Sequence, residues 1–264
     1  MVRWWKALDR VLRGEATKVS ALRSGKVDLP IAGIVVLLLI LAMLYGTCMG
    51  TFAILKEGEP SYQQVLASTL KVPALFFLTL VVTFPSLYVF NALVGSRLSM
   101  GAVLRLLLAA MAVTISVLAS FGPITAFFSA STNTYAFMIL LNVLVFAVSG
   151  TLGLLFLLRT LQRLNVAMRE PVPTPAEEHV GVDKLGEERP ATPSPLEPLE
   201  EEVLGRHVLV LFQCWILLFG LVGAQMSWVL RPFVGNPDQP FTWFRPRQSN
   251  FFEAFFSALA SLLS

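Results

Sequence analysis

From Leu106 to Leu158 the chain runs for 53 residues without a Lys, Arg, Asp, Glu or His. Crossing about 30 Å of hydrocarbon takes about 20 apolar residues, so a run of this length fits two crossings joined by a short turn. Ser129–Thr134 (SASTNT) is the natural turn, six small polar residues that favour loops. Further uncharged runs occur at Ile31–Leu55, Val72–Ser96 and Val208–Leu230. The expected fold class is therefore all-α: a polytopic transmembrane helical bundle with five predicted spans, near 31–55, 72–95, 104–128, 135–158 and 207–230. Composition agrees. The chain is 55% hydrophobic and 14% charged, against about 45–50% and about 25% for soluble domains. A typical soluble enzyme, a disordered chain and a disulfide-stapled secreted module are excluded.

The charges divide the chain into five regions. Residues 1–29 form a basic amphipathic segment, with seven Lys/Arg against three acids. Residues 30–160 form a four-helix membrane block. The run after the first bases is too long for the apolar region of a signal peptide, so 31–55 reads as a retained span. Residues 161–205 read as a disordered linker, since seven prolines and ten acids crowd between Glu170 and Glu202. Such a stretch buries too little apolar surface to offset its ordering entropy. Residues 206–232 hold the fifth span, and 233–264 an outer aromatic loop and an interfacial helix. Bases at the N-terminus, at Arg97 and Arg105, and at Arg159, Arg163 and Arg169 all fall on one side. Positive flanks mark the cytoplasmic side. The expectation is a cytoplasmic N-terminus, an outward C-terminus and an integral location in a bacterial inner membrane.

Both ends carry amphipathic patterns. In Trp4–Leu12, Trp4, Trp5, Leu8, Val11 and Leu12 share a helical face, as in helices that lie on anionic membranes. Asn250 and Glu253 form a capping pair ahead of the apolar stretch that starts at Phe251.

Catalytic signatures are absent. Neither histidine, His179 nor His207, belongs to a metal or triad pattern, and no HExxH, GxSxG, GxGxxG or P-loop occurs. Cys48 and Cys214 lie in apolar runs and form no metal spacing. No ionisable group sits at mid-span, where proton relays and intramembrane catalysis need one. The expectation is no catalytic, cofactor or metal site, and no nucleic-acid partner, since a net charge of +3 makes no basic patch. A membrane enzyme would have to draw on Arg231, Asp238 and Glu253, which supply no base–nucleophile pair.

Two sets of residues remain. Asn142, Gln213 and Gln225 are intramembrane polar groups, read either as a polar pathway or, more simply, as interhelical hydrogen bonds. Pro85 and Pro123 would kink their helices. Gly46 and Gly50 form a GxxxG that suits close packing within the chain or homo-oligomerisation. The second set follows the fifth span. Arg231, Pro232, Phe233, Asp238, Trp243 and Arg245 lie in a turn-rich, aromatic segment suited to docking a partner or a lipid headgroup.

From Lys71, the stretch KVPALFFLTLVVTFPSLYVFNALVGSRLSMGAVLRLLLAAMAVT resembles the second and third helices of the Yip1-like family. There an apolar hairpin likewise turns through a short Gly-containing loop into a basic helix start. The resemblance implies five spans and a non-enzymatic membrane protein that works through protein partners. It assigns no site residue. Together these readings point to a scaffold, assembly or membrane-organising factor in contact with the lipid bilayer and protein partners. The alternative is a transporter or channel component for a neutral or lipidic substrate.

Overall fold

The structure is a computed structural model that describes residues 2–15, 30–55, 61–93, 100–169, 197–236, 240–245 and 250–263. Its regular elements are helices: α1 (Val2–Leu12), α2 (Ile31–Gly50), α3 (Phe52–Leu55), α4 (Tyr62–Leu93), α5 (Met100–Ser120), α6 (Gly122–Ser131), α7 (Tyr135–Arg169), α8 (Glu197–Leu230) and α9 (Phe251–Leu263). Among the described residues, four segments are long and apolar enough to cross a membrane: Ile31–Leu55, Tyr62–Ser86, Val103–Ser131 and Tyr135–Thr160. The first and fourth match the expected spans; of the expected turn Ser129–Thr134 only Thr132–Thr134 leaves the helix, and Ser129–Ser131 belong to α6.

Burial is distributed as lipid would have it. Val36, Ile40 and Leu44 recur along one exposed face of α2, and Leu144, Val148, Leu152 and Leu155 along one of α7. Meanwhile Ser68, Thr79, Thr83, Asn142 and Ser149 are buried. Water would favour the reverse arrangement. In hydrocarbon, apolar side chains face outward at no cost and polar ones turn inward to find partners.

Helix α2 is the hub, packing on α4, α5 and α6. Its approach to α4 depends on small residues. A Cβ at Gly46 would stand 2.6 Å from the Ser68 carbonyl oxygen, and one at Gly50 would stand 2.8 Å from Val65 Cα. The GxxxG pair is thus used within the chain. The contact also brings the hydroxyls of Thr47 and Thr69 to 3.0 Å. Helices α5 and α7 pair in the same way, with Gly153 against Thr114 and the Ala110 carbonyl. Helix α8 docks on α4 and α7, and the buried Trp215 indole donates to Ser86 Oγ at 3.2 Å.

Several expected boundaries move. Helix α4 begins at Tyr62, ten residues before the expected span, and takes in Lys71. A charge marks a membrane boundary only while it needs water, and Lys71 finds protein acceptors instead. Helix α4 also stays continuous through Pro73 and Pro85. The Ser86 hydroxyl bonds the Thr83 carbonyl at 2.7 Å beside Pro85, the kind of local adjustment that lets proline persist in apolar helices. Pro123 does not bend a helix; it occupies the first turn of α6 after a break at Phe121, where a missing N–H costs nothing. The expected linker is shorter than 161–205, because α7 extends to Arg169 and α8 starts at Glu197. Its centre, 170–196, lies outside the described residues.

The N-terminal helix is docked on the bundle. Ala7, Leu8 and Val11 of α1 are buried against α2 and α5, and Trp4 lies over Gly33. Trp5 and Leu12, expected on the same apolar face, are exposed. Helix α9 packs on α7 and α8, with Asn250 Oδ1 accepting the Glu253 N–H at 2.9 Å as its cap.

Candidate functional site: a lysine-held loop at one end of the bundle

At the end where α2 finishes and α4 begins, the segment after α8 turns back onto the bundle. Three side chains of α4 receive it. Gln64, Ser68 and Lys71 are spaced i, i+4 and i+7, one stripe of a helix, and all three are buried. Their partners are main-chain carbonyls of the returning segment. Lys71 Nζ donates to the Pro232 carbonyl at 3.0 Å and to the Trp243 carbonyl. Gln64 Nε2 donates to the Phe233 carbonyl at 3.0 Å, with a longer contact of 3.3 Å to that of Pro232. Ser68 Oγ also reaches the Phe233 oxygen. A carbonyl oxygen has two lone pairs, and Phe233 offers one to the amide and one to the hydroxyl.

Helices can satisfy their own backbone, but irregular backbone at membrane depth must be satisfied by protein or water. Here the α4 stripe does it. Lys71 stands about 14 Å along the helix from Tyr62 at 1.5 Å per residue. Its ammonium has three donors and no acceptor, so two carbonyl oxygens solvate it well. The Phe244 ring adds a third favourable contact, 5.3 Å from Nζ. Gly235 completes the fit: a Cβ there would lie 2.9 Å from both Ala53 Cβ and Gln64 Cγ, so a side chain would push the segment off α3 and α4. Val234 beside it is 4% exposed. The Arg231–Pro232 peptide is cis.

Around this seat stands a second ring of groups. The Arg231 guanidinium lies 3.4 Å from the centre of the Trp228 ring, a stacked cation–π contact. Burial and the neighbouring Arg245 charge hold Arg231 below the ordinary arginine value. Arg245 follows Phe244, the ring that faces Lys71. Trp243 and Phe244 point outward, 45% and 59% exposed.

Five of the six residues singled out in the sequence are thus brought together: Arg231, Pro232, Phe233, Trp243 and Arg245. Pro232, Phe233 and Trp243 contribute backbone oxygens, while Arg231 and Arg245 contribute charge. Asp238 lies outside the described residues. The residues that organise the site, Gln64, Ser68 and Lys71, were missed; the available signal was their shared helical stripe.

Of the intramembrane polar set, Asn142 joins helix to helix. Asn142 Oδ1 accepts the Tyr45 hydroxyl at 2.8 Å, and Asn142 Nδ2 donates to the Met138 carbonyl at 2.7 Å. Both side chains are buried, and Tyr45 meets Phe146 edge-on. Gln225, half-buried on α8, is not among Asn142's partners, and the Gln213 side chain lies outside the described residues. Among the described residues, no three His, Cys, Asp or Glu side chains come together to hold a metal ion.

Comparison with known proteins adds no relative. No family model matches the chain, no curated protein is significantly similar to it, and no solved structure matches its fold.

Proposed function

We propose that the chain is an integral membrane protein that works without catalysis, as a scaffold, assembly or membrane-organising factor, by docking protein partners on the lysine-held loop. One observation carries this reading. Three buried side chains of α4 hold irregular backbone in place, and the held segment presents Trp243 and Phe244 outward. Fixing a loop in advance lowers the entropy cost of binding to it, and exposed aromatics are the side chains that anchor interfaces.

In this reading α8 supplies the fifth span. Its apolar part, Cys214–Leu230, is shorter than the other four, and the N-terminal turns of the helix extend it. The basic flanks support a cytoplasmic N-terminus and an outward-facing loop. The five-span plan and the absence of catalytic signatures agree with what the Yip1-like resemblance implies. The transporter alternative draws on Pro85, Asn142, Gln213 and Gln225; the engagement of Asn142 by Tyr45 and the Met138 carbonyl supports a packing role for that one residue.

Photo-crosslinking in cells tests the reading. A photoreactive residue at Trp243 or Phe244 is expected to give one discrete protein adduct, lost when Lys71→Ala frees the segment. Adducts with lipid only, or the same protein adduct from the exposed Leu217 of α8, would overturn it.

A further inference from the structure

The surface of α1 is divided three ways. Ala7, Leu8 and Val11 are buried where the helix packs on α2 and α5. Trp5 and Leu12 are two turns apart and so share one flank, where they stay 51% and 46% exposed. Arg3, Lys6 and Arg10, spaced i, i+3 and i+7, share the other flank, and all three are exposed. Asp9 and Arg13 form an exposed ion pair at 2.9 Å between the two flanks. The bundle thus takes up only part of the apolar surface of α1, and a tryptophan and a leucine are left over to one side of it.

The position of α1 decides what covers them. Trp4 lies over Gly33, close to the start of the membrane-length segment Ile31–Leu55. Farther along α2, Val36 and Ile40 already face outward, so Trp5 and Leu12 continue the lipid-facing surface of the span. Arg3, Lys6, Asp9, Arg10 and Arg13 bar α1 itself from hydrocarbon depth, which leaves it the boundary layer. Tryptophan favours that layer, and long basic side chains reach from it into headgroups and water. The bases of this segment also outnumber its acid, Asp9, which complements the anionic surface of a cytoplasmic leaflet. We propose that α1 is a lipid-binding helix: held on the bundle by Ala7, Leu8 and Val11, it inserts Trp5 and Leu12 at the headgroup–acyl boundary of the leaflet where α2 begins. The occupant of this flank is phospholipid. The inference rests on the membrane reading of the chain and gives its membrane-organising part a physical means, because binding by a helix that lies in the interface depends on lipid composition and curvature. It makes no use of the loop after α8, so failure of the crosslinking experiment leaves it standing, and its own failure leaves the loop reading untouched.

The test uses the full-length chain in nanodiscs of mixed phosphatidylcholine and phosphatidylglycerol, made with plain lipid or with lipid brominated near the top of its acyl chains. Bromine quenches tryptophan emission on contact. The native chain is compared with Trp5→Phe, which keeps an apolar ring and so guards against a folding defect. Trp5→Phe should remove part of the bromine quenching and leave quenching by water-soluble acrylamide unchanged. Spin labels at Leu12→Cys and, separately, at Lys6→Cys, in a chain whose Cys48 and Cys214 are replaced by alanine, carry the test around the helix. Oxygen, which dissolves in lipid, should relax the label at position 12 several-fold more than a water-soluble nickel chelate does, and the order should reverse at position 6. Three results would overturn the proposal: bromine quenching that Trp5→Phe leaves unchanged; a label at position 12 that the nickel chelate relaxes more than oxygen does, which means that water covers the flank; or a label there that neither reagent reaches, which means that a protein partner or a second copy of the chain does.

Discussion

Two buried polar groups of this bundle behave in opposite ways. Asn142 on α7 meets Tyr45 on α2 at 2.8 Å and gives its amide to a carbonyl of its own helix. Each partner is part of a helix that would exist without the other, so the pair ties two ready-made elements together. Lys71 on α4 meets the carbonyls of Pro232 and Trp243, which have left their helix behind. Here the side chain supplies what the backbone lacks. A polar group that bonds helix to helix serves packing. A polar group that bonds irregular backbone fixes the position of a segment with no regular structure of its own, and such segments carry function more often than helices do.

The contrast can be broken or sharpened by substitution, judged by unfolding in mixed micelles. Lys71→Ala should have the largest effect. It removes the donor of the part-buried Trp243 carbonyl and one of the two donors of the Pro232 carbonyl and leaves a gap under Phe244, a loss of about 3 kcal/mol where an unsatisfied acceptor alone costs about 1–3 kcal/mol. Lys71→Arg should not restore the native stability, because a planar fork does not reproduce the ammonium geometry. Gly235→Val should cost about 2 kcal/mol by overpacking against Ala53 and Gln64, and it should loosen the same segment without touching Lys71. Asn142→Leu should cost least, about 0.6 kcal/mol, the average for interhelical hydrogen bonds in membranes. If Asn142→Leu proved more costly than Lys71→Ala, the two groups would have to exchange roles.

The legible part of the fold was the part written in side-chain polarity. The 53-residue uncharged run gave two membrane-length segments with a turn at Thr132–Thr134, the first of them divided into α5 and α6, because hydrophobic length maps directly onto helix length in a bilayer. The start of α4 was misplaced for the same reason. Lys71 closes off the uncharged run that starts at Val72, yet the helix runs through it from Tyr62. What hides the lysine is backbone oxygen from residues 161 and 172 positions away. A carbonyl is the same in every residue, so its destination leaves no trace in sequence. The loop itself could be recognised from its prolines and aromatics, which explains why Arg231, Pro232, Phe233, Trp243 and Arg245 were found and Gln64, Ser68 and Lys71 were not. The small residues were legible as a pattern but not in their use: Gly46 and Gly50 suited two outcomes, and contact with the α4 backbone shows the one within the chain.

The central claim is that Lys71 holds the segment after α8 against the bundle. Cysteine labelling with a membrane-impermeant maleimide on intact cells tests it most directly, in a chain whose Cys48 and Cys214 are replaced by alanine. Val234, 4% exposed, and Trp243, 45% exposed, belong to the same segment, so each is changed to cysteine in turn. The account predicts that Trp243→Cys reacts from outside at least about tenfold faster than Val234→Cys, a difference of about 1.4 kcal/mol in opening the seat, and that adding Lys71→Ala makes the two rates equal. Equal rates with Lys71 in place, or a difference that persists after its removal, would contradict the account.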